Sequence, residues 1–411
     1  MNIISLIKLF KNIYGKNKPD IEYIQKQGLL AVKIAQHYAL RVDFLNPNVC
    51  YELSKLYRAN VSIPPKDIIP TISKYAGKEF FKNFSNIEEK PIATASIGQV
   101  HKAVLVDGRK VVIKFIKDDY KKNFLSDIKK IKRIFNLITY FYPKIKRVFD
   151  PLAAISHIED YTLLELDLRN EVKGIKTLSD IANSYKNFYD TSRLKFPIIY
   201  EDLTNENIMV SQLIEGKTFD ELIEEGNLPY YKLIEVFYLH GFFIFIEGVF
   251  HGDLHPANII LGNDGFIYFI DNASISRITD KIRCGLFEFF EFLCKYDYDK
   301  CAEKMNEMSN TKIDDLKMKK FKSDFFKLYK DFKGKTVSEI SLTQQMMKTI
   351  KLAVNYGMSF DKEMFSVIKS LMYMDGMVLR CNPKADLIKD IEKAVSQMKM
   401  LFIKTKTEKF R

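Results

Sequence analysis

The first 62 residues carry the hydrophobic spacing of helices. In the stretch 1–15, apolar residues such as Ile3 and Leu6 fall on one helical face, and Lys8 lies on the opposite face. Such a short basic amphipathic helix either packs on the rest of the protein or lies in a membrane interface, and the pattern leaves both open. Helical spacing continues over 20–62 until the Pro64-Pro65 pair interrupts it. We expect a helical N-terminal extension over residues 1–90.

From Pro91 onward the pattern alternates as it does in strands. QVHKAVLV and KVVIKFI flank an Asp107-Gly108 turn, which predicts a β-hairpin. Helical runs follow over 118–147 and 151–185, and NIMVSQLI is a further short strand ending at Glu215-Gly216. A long apolar helix then leads through HGDLHPAN into a second hairpin, IILGNDGFIYFID, and the remaining residues are predicted to be helical. These changes predict segments 91–215 and 216–385, followed by a charged C-terminal tail at 386–411.

Composition adds the charge and the cysteines to this picture. The 411 residues include 64 Lys and Arg against 52 Asp and Glu, and the net charge of +12 favours an anionic partner, whether nucleotide, phospholipid or nucleic acid. Five cysteines without CxxC spacing make a disulfide framework or a zinc site unexpected and fit a reducing cytoplasm. The longest uncharged stretch, 236–246, is far below the ~18–20 residues of a membrane span, so no transmembrane helix is expected.

The second hairpin predicts a cation site. Asn258 precedes its first strand and Asp271 follows its second, and antiparallel pairing places these two ends side by side. An amide oxygen and a carboxylate are hard ligands that suit Mg²⁺ together with substrate phosphates. Asp253 lies five residues before Asn258, and this spacing matches the catalytic loop and metal-binding Asp of kinase-like enzymes.

The first hairpin supplies a candidate phosphate-binding lysine. Lys114 ends the apolar run VVIK, as the strand lysine of kinases does, and Glu165 and Glu171 are its nearest candidate partners. A surface lysine on an edge strand is the structural alternative. His251 and His255 flank Asp253, but without further ligands an H-x-D-x-H run favours a brace for the loop over a zinc site.

Five motifs in this order resemble the UbiB/AarF family of atypical kinase-like proteins. They are KIAQ (33–36), ATASIGQVH (93–101), ELDLRNE (165–171), HGDLHPAN (251–258) and Asp271. The resemblance covers roughly residues 25–285. It implies an α+β fold of the two-lobed protein-kinase type, mostly helical, with a helical N-terminal extension. It also implies binding of ATP or ADP with Mg²⁺, and a link to ubiquinone or isoprenoid-lipid metabolism.

The resemblance further implies a role for each motif. Lys114 would pair with Glu171, with Asp253 as the third catalytic residue, and Asn258 and Asp271 would hold the metal. Glu165 and Asp167 would face the nucleotide, and helical spacing puts Asp167 and Glu171 on one face. The other residues expected at the nucleotide are Lys33, Gln36, Ala93, Ala95, Ser96 and Gly98. The Ala-rich loop replaces a Gly-rich phosphate loop and implies altered nucleotide selectivity with weak protein-kinase activity.

The sequence also constrains the acceptor. Helical patterning resumes within about eight residues of Asp271, which leaves no room for a long activation segment. A lipid or quinone precursor, another small molecule, or water is therefore the expected acceptor, and nucleic acid is not expected as a partner. Three motifs depart from the family pattern, with Ala35 and Ala257 in place of Gly and Asn272-Ala273 in place of Phe-Gly.

Two other functional classes stay open. HGDLHPxN also occurs in small-molecule phosphotransferases of the aminoglycoside or choline kinase kind, although KIAQ, the Ala-rich loop and ELD weigh against them. A non-catalytic, nucleotide-gated lipid-binding scaffold would keep the same ligand residues. Because the charged tail differs from the two membrane-spanning helices that end many bacterial family members, we expect a cytoplasmic protein that binds peripherally to anionic membranes.

Overall fold

The computed structural model describes residues 3–15, 18–39, 45, 47–57, 64–94, 97–117, 120–141 and 151–409. The chain divides into two compact units, each with its own core. The first comprises Met1–Lys173 with Pro197–Leu213, and the second comprises Gly174–Phe196 with Ile214–Arg411. The predicted α+β, mostly helical fold is confirmed.

The first unit combines helices with a four-stranded antiparallel sheet of order β1-β2-β3-β5. Its strands are β1 (Phe84–Thr94), β2 (Gly98–Leu105), β3 (Lys110–Ile116) and β5 (Ile208–Gln212). Its helices are α1 (Ile3–Tyr14), α2 (Ile21–Lys26), α3 (Leu29–Ala39), α4 (Pro47–Ser54), α5 (Ile68–Ala76), α6 (Tyr120–Phe141) and α7 (Pro151–Glu165). Helix α8 (Arg169–Ser184) begins in this unit and continues into the second.

The predicted first hairpin is confirmed as β2 and β3, but the helical extension is shorter than expected. Strand β1 begins at Phe84, seven residues before the predicted change at Pro91. All of its side chains are half-buried or exposed, without a period of two, and its pairing with β2 contains register shifts. Without an alternating apolar pattern, the sequence did not indicate a strand here.

The second unit contains two small sheets and a large helical core. Its strands are β4 (Leu194–Lys195), β6 (Gly216–Thr218), β7 (Val249–His251), β8 (Ile259–Gly262), β9 (Ile267–Phe269) and β10 (Ile275–Arg277). Its further helices are α9 (Phe219–Glu224), α10 (Tyr230–Phe242), α11 (Asp280–Cys294), α12 (Tyr298–Met308), α13 (Asp315–Tyr329), α14 (Leu342–Asn355), α15 (Lys362–Cys381) and α16 (Leu387–Lys409). One sheet has the order β4-β9-β8-β6, and β7 pairs with β10.

A buried arginine fixes the helical segment that leads into β7. Helix α10 continues as one π-helical stretch, Phe243–Glu247. The guanidinium of Arg283 is fully buried and donates from Nη1 to the carbonyl oxygens of Phe245 and Ile246, at 3.1 and 3.0 Å. These carbonyls belong to the last turn, which has no intrahelical donors left to satisfy them. Arg283 therefore anchors the chain just before the HGDLHPAN segment.

Helix α1 differs from its predicted single apolar face. Leu6, Leu9 and Ile13 are buried, while Ile4 and Ile7 remain 61% and 51% exposed. The helix thus packs by one apolar face and leaves a second one at the surface. None of the helices in the described ranges combines the length and the apolar composition that a bilayer span requires.

Candidate functional site

Lys114 lies on an inner strand and forms a buried ion pair. In β3 it is opposite Val100 of β2 on one side and Met209 of β5 on the other. Its Nζ is 2.7 Å from Oε2 of Glu171, and both side chains are almost fully buried. The alternative of a surface lysine on an edge strand is therefore wrong. Breaking a buried ion pair by removing one partner is strongly destabilising.

A second ion pair in the same unit joins the KIAQ and ELD motifs. Lys33 of the buried helix α3 pairs through Nζ with the carboxylate of Glu165, the last residue of α7. The ammonium also lies 5.3 Å from the ring centre of Tyr161, one turn earlier on α7. Gln36 donates from Nε2 to the carbonyl oxygen of Leu56 at 3.0 Å. In this structure Lys33 and Gln36 thus hold elements of the first unit together, and their predicted contact with nucleotide stays a prediction.

Asp167 does not share a helical face with Glu171. Helix α7 ends at Glu165 and α8 begins at Arg169, so Asp167 lies in the turn between them. Leu166 and Leu168, on either side of Asp167, are both fully buried. Residues two positions apart cannot occupy the same face of a helix. The carboxylate of Asp167 accepts hydrogen bonds from Arg169 Nε at 2.9 Å and Nη2 at 2.7 Å. These bonds lower the pKa of Asp167 below its usual value, although partial burial opposes them.

The Ala-rich loop is described in part. Ala93 lies near the end of β1, opposite Val100, whereas Ala95 and Ser96 lie outside the described residues. Gly98 opens β2, and a Cβ there would lie 2.3 Å from the carbonyl oxygen of Phe115 on β3. Only glycine allows this close approach of the two strands.

In the second unit, His251 joins Asp253 to the hairpin. Nδ1 of His251 accepts the backbone N–H of Asp253 at 3.1 Å, so Nε2 carries the proton and donates to the carbonyl oxygen of Ile270 at 3.0 Å. Burial lowers the pKa of His251, which favours this neutral form. His255 instead caps the turn that follows, accepting the backbone N–H of Ala257 at 3.2 Å. Both histidines thus brace the loop.

The hairpin places Asn258 and Asp271 at neighbouring strand ends, as predicted. Ile259 is opposite Phe269, and the backbone N–H of Ile270 donates to the carbonyl oxygen of Asn258 at 3.0 Å. The Asn258 side chain donates from Nδ2 to the carbonyl oxygen of Asp253 at 2.9 Å, which directs its Oδ1 the other way. Among the described residues, no group of three or more His, Cys, Asp or Glu side chains has the arrangement of a metal site. A cation here would rely on Asn258, Asp271 and ligand oxygens, which is a set that fits Mg²⁺.

Backbone strain lies at Asp271 and not at the positions where alanine stands in place of the glycine of the family pattern. Asp271 has φ 57°, in the left-handed region that few residues other than glycine adopt. Ala35, Ala257 and Ala273 have no positive φ, so they stand where an L-residue is unstrained. The neighbouring Asn272 is fully buried. Strained backbone of this kind concentrates at functional sites.

Gly174 packs directly on the chain beside Asp271. A Cβ at this position of α8 would lie 1.9 Å from the carbonyl oxygen of Asn272. The Asn272 side chain is held in turn, because its Nδ2 donates to the carbonyl oxygen of Phe269 at 3.0 Å. The glycine is required by contact with backbone, which cannot move aside as a flexible side chain does.

Two residues that the sequence did not indicate contact the Asp253 carboxylate. Oδ1 of Asp253 lies 2.7 Å from Nζ of Lys369 and accepts a hydrogen bond from the Tyr373 hydroxyl at 2.8 Å. Burial would raise the pKa of Asp253, but Lys369 and the hydrogen bond from Tyr373 hold it well below the usual value. Both residues belong to α15, about 115 residues after the loop, and their i,i+4 spacing on an amphipathic helix is the one local signal that they carry.

The profile of the ABC1 atypical kinase-like domain matches residues 56–305, more than half of the chain. The chain belongs to this family. The resemblance to UbiB/AarF proteins is thereby confirmed, and the matched range contains Lys114, Glu171, Asp253 and the hairpin.

Named relatives agree with this assignment. The chain is 26% identical over 374 residues to "Probable protein kinase UbiB" of Tolumonas auensis, a match that covers 88% of this chain and 66% of that protein. It is 25% identical over 393 residues to the "Uncharacterized protein in hydrogenase 1 5'region" of Clostridium pasteurianum, covering 90% of this chain and 70% of the other. The chain thus spans about two thirds of the length of these relatives.

A solved structure shows the same fold. The complex of Rv3197 with erythromycin from Mycobacterium tuberculosis superposes with a TM-score of 0.57 at 18% identity, covering 81% of this chain and 82% of that chain. At this identity the likeness concerns the fold alone.

Proposed function

We propose that the protein binds ATP or ADP with Mg²⁺ and either hydrolyses ATP or transfers its γ-phosphoryl group to a small or lipid acceptor. The observation that supports this most is the buried Lys114–Glu171 pair, because a strand lysine held by a helix glutamate is the arrangement that kinase-like enzymes use at nucleotide phosphates. The family match and the kinase names of its UbiB relatives support the same activity.

Each residue has a role in this proposal. Lys114, oriented by Glu171, contacts the α- and β-phosphates. Asn258 and Asp271 would hold Mg²⁺ through their side-chain oxygens, and the bound ion would offset the negative charge of the phosphates. Asp253 orients the attacking hydroxyl or water. Its lowered pKa makes Asp253 a weak proton acceptor. We therefore assign it the role of orienting the nucleophile rather than that of abstracting a proton.

A short connection after Asp271 supports a non-protein acceptor. Only residues 272–279 separate it from α11, and part of this segment is strand β10, paired with β7. Protein kinases use a much longer activation segment to hold a peptide. We therefore propose a lipid, a quinone precursor or water as the acceptor, in support of ubiquinone or isoprenoid-lipid metabolism. Of these two processes, the UbiB names suggest ubiquinone biosynthesis.

We propose in addition that the protein binds anionic membranes peripherally. The exposed face of α1 presents Ile4 and Ile7, and the exposed Lys8 lies beside them. Apolar side chains next to lysines are the composition with which interfacial helices bind anionic lipid.

Nucleotide-dependent thermal stabilisation tests the proposal. Wild-type protein should gain several degrees in Tm with saturating MgATP and less with ATP in EDTA, because a ligand that binds only the folded state stabilises it. Asp271→Asn should remove the Mg²⁺-dependent part. Asp264→Asn changes a carboxylate in the turn of the same hairpin and should keep it. Wild-type Mg²⁺-dependent stabilisation in Asp271→Asn would refute the metal assignment.

Phosphate release separates the enzyme from the scaffold. Steady turnover of ATP that falls strongly, to a measurable residual rate, in Asp253→Asn is expected for the enzyme. MgATP binding without turnover, in the presence of anionic vesicles and candidate lipid acceptors, would instead favour the nucleotide-gated scaffold.

A further inference from the structure

Helix α15 lies against the HGDLHPAN loop through two polar side chains. Lys369 and Tyr373 are one helical turn apart, and both reach the same carboxylate oxygen, Oδ1 of Asp253. The Tyr373 ring also packs edge-to-face against His255, with ring centres 5.2 Å apart. All of these residues belong to the second unit.

Helix α15, which supplies one side of this contact, lies outside the matched domain, whereas Asp253 lies inside it. The matched domain ends at residue 305, whereas α15 begins at Lys362. Nothing in the matched motifs therefore assigns a role to Lys369 or Tyr373.

The contacts restrict how the carboxylate can rotate. A carboxylate is free to turn about χ2, a broad torsion, unless its oxygens are held. Two donors on one oxygen, an ammonium at 2.7 Å and a hydroxyl at 2.8 Å, fix the plane of the Asp253 carboxylate. The side chains of Asp253 and Lys369 are 16% and 19% exposed, so the pair is shielded but not sealed from solvent.

We propose that Lys369 and Tyr373 are positioning residues that orient Asp253 for phosphoryl transfer or ATP hydrolysis. The proposal rests on the proposed function, because it assigns Asp253 to the reacting hydroxyl or water. A carboxylate held in one orientation can accept the hydrogen bond of an incoming nucleophile without first reorganising. Helix α15 thus contributes to the active site.

Steady-state ATP turnover of full-length variants tests this. Lys369→Met should lower kcat about 10- to 100-fold, the range found when a supporting contact of a functional side chain is lost. Lys369→Arg keeps the charge and should restore much of the rate. Tyr373→Phe should lower kcat less. The Kd for MgATP, measured by calorimetry, should stay within about twofold of wild type in all three, because α15 is assigned to the Asp253 carboxylate and not to the nucleotide.

Two controls separate positioning from structure. Tyr230→Phe removes a comparable Tyr–Asp hydrogen bond, to Asp390 at 2.6 Å, and should leave kcat unchanged. In an Asp253→Asn background, Lys369→Met should cause no further loss of the residual rate, since residues that act as a unit are not additive.

Other outcomes overturn the proposal. An unchanged or higher kcat in Lys369→Met would show that the contact is neutral or inhibitory, while the proposed function would stand on the loss in Asp253→Asn. An equal loss in both backgrounds would mean that Lys369 acts independently of Asp253. Absence of any turnover in wild type, with MgATP bound, would overturn the proposed reaction and this inference with it.

Discussion

The ammonium of Lys114 lies 2.7 Å from the carboxylate of Glu171, although 57 residues separate them in the sequence. One residue comes from an inner strand and the other from the first turn of α8. Their burial makes the pair costly to break and leaves Lys114 with one preferred direction.

Breaking this pair should affect both stability and nucleotide binding. Lys114→Met and Glu171→Gln should each lower the free energy of unfolding by about 3–5 kcal/mol, because breaking a buried ion pair is strongly destabilising. Each should also weaken MgATP binding. Denaturant unfolding and calorimetry measure the two effects. Lys217→Met, which breaks an exposed pair with Glu225, should change neither appreciably. Full nucleotide affinity in Lys114→Met would contradict the assigned role.

The Ala-rich loop gives a prediction about nucleotide preference. Ala93→Gly or Ala95→Gly should change the affinity for ATP or ADP, or the extent of autophosphorylation, because glycine gives the backbone access to conformations that alanine avoids. Calorimetry with both nucleotides and a radiolabel assay measure these changes. Identical affinities and labelling in both variants would count against a role for loop stiffness.

Close packing at Gly174 predicts a specific loss of stability. Gly174→Ala should destabilise the protein by about 1–3 kcal/mol, because its Cβ would collide with the backbone beside Asp271. The matched control is Gly376→Ala, since a Cβ there meets nothing within 4 Å and alanine favours a helix interior. Chemical denaturation of the two variants should therefore give shifts of opposite sign. Equal stability of Gly174→Ala and wild type would disprove the close contact.

His240 predicts a pH-dependent loss of stability. Its side chain is fully buried, and neither ring nitrogen has a hydrogen-bond partner among the described residues. Burial lowers the pKa of His240 to about 3. In the unfolded chain the His240 side chain therefore takes up a proton near pH 6.5, whereas in the folded protein it stays neutral. The free energy of unfolding consequently falls as the pH drops from about 6.5 toward 3. By pH 5 this costs about 2 kcal/mol.

Substitution by an apolar ring should remove that cost. His240→Phe, surrounded by Phe250 and Phe269, should flatten the difference in unfolding free energy between pH 7.5 and pH 5. The His240 interpretation fails if His240→Phe shows the same pH dependence as the wild type.

Vesicle co-sedimentation tests the membrane proposal. We expect binding to liposomes rich in cardiolipin or phosphatidylglycerol and release at about 0.5 M salt, because screening weakens attraction between exposed charges. The double variant Ile4→Asp with Ile7→Asp should bind less. Val106→Asp alters an exposed apolar residue of the β2–β3 turn and should bind as wild type does. Equal binding to neutral vesicles would show that the basic surface serves another partner.

The sequence predicted those parts of the fold and site that depend on local pattern. The first hairpin was predicted from its alternating, β-branched strands and the second from the GNDG turn between two apolar runs, and the Asn258–Asp271 neighbourhood follows from antiparallel pairing alone. The Lys114–Glu171 pair needed the family resemblance, since spacing left Glu165 equally eligible. Asp167 was wrongly predicted to share a helical face with Glu171. That prediction continued the helical pattern through Leu166-Asp167-Leu168, where the chain instead forms a turn and buries both leucines.

The contacts of Asp253 could not be predicted. Lys369 and Tyr373 reach it over 116 and 120 positions, and their helix resembles any other amphipathic helix in sequence. A long-range contact of this kind is decided by how helices pack, which a single sequence does not encode locally.

The left-handed backbone at Asp271 divides the possible substitutions into separate classes. Asn and Gly tolerate φ 57°, so a library screened for protein abundance in cells should retain them, while a screen for activity should reject both. Glu keeps the charge but lacks the short side chain that tolerates this conformation. Val, which is β-branched, should be depleted in both the abundance screen and the activity screen. Position 271 would therefore show the widest gap between abundance and activity among the residues of the hairpin.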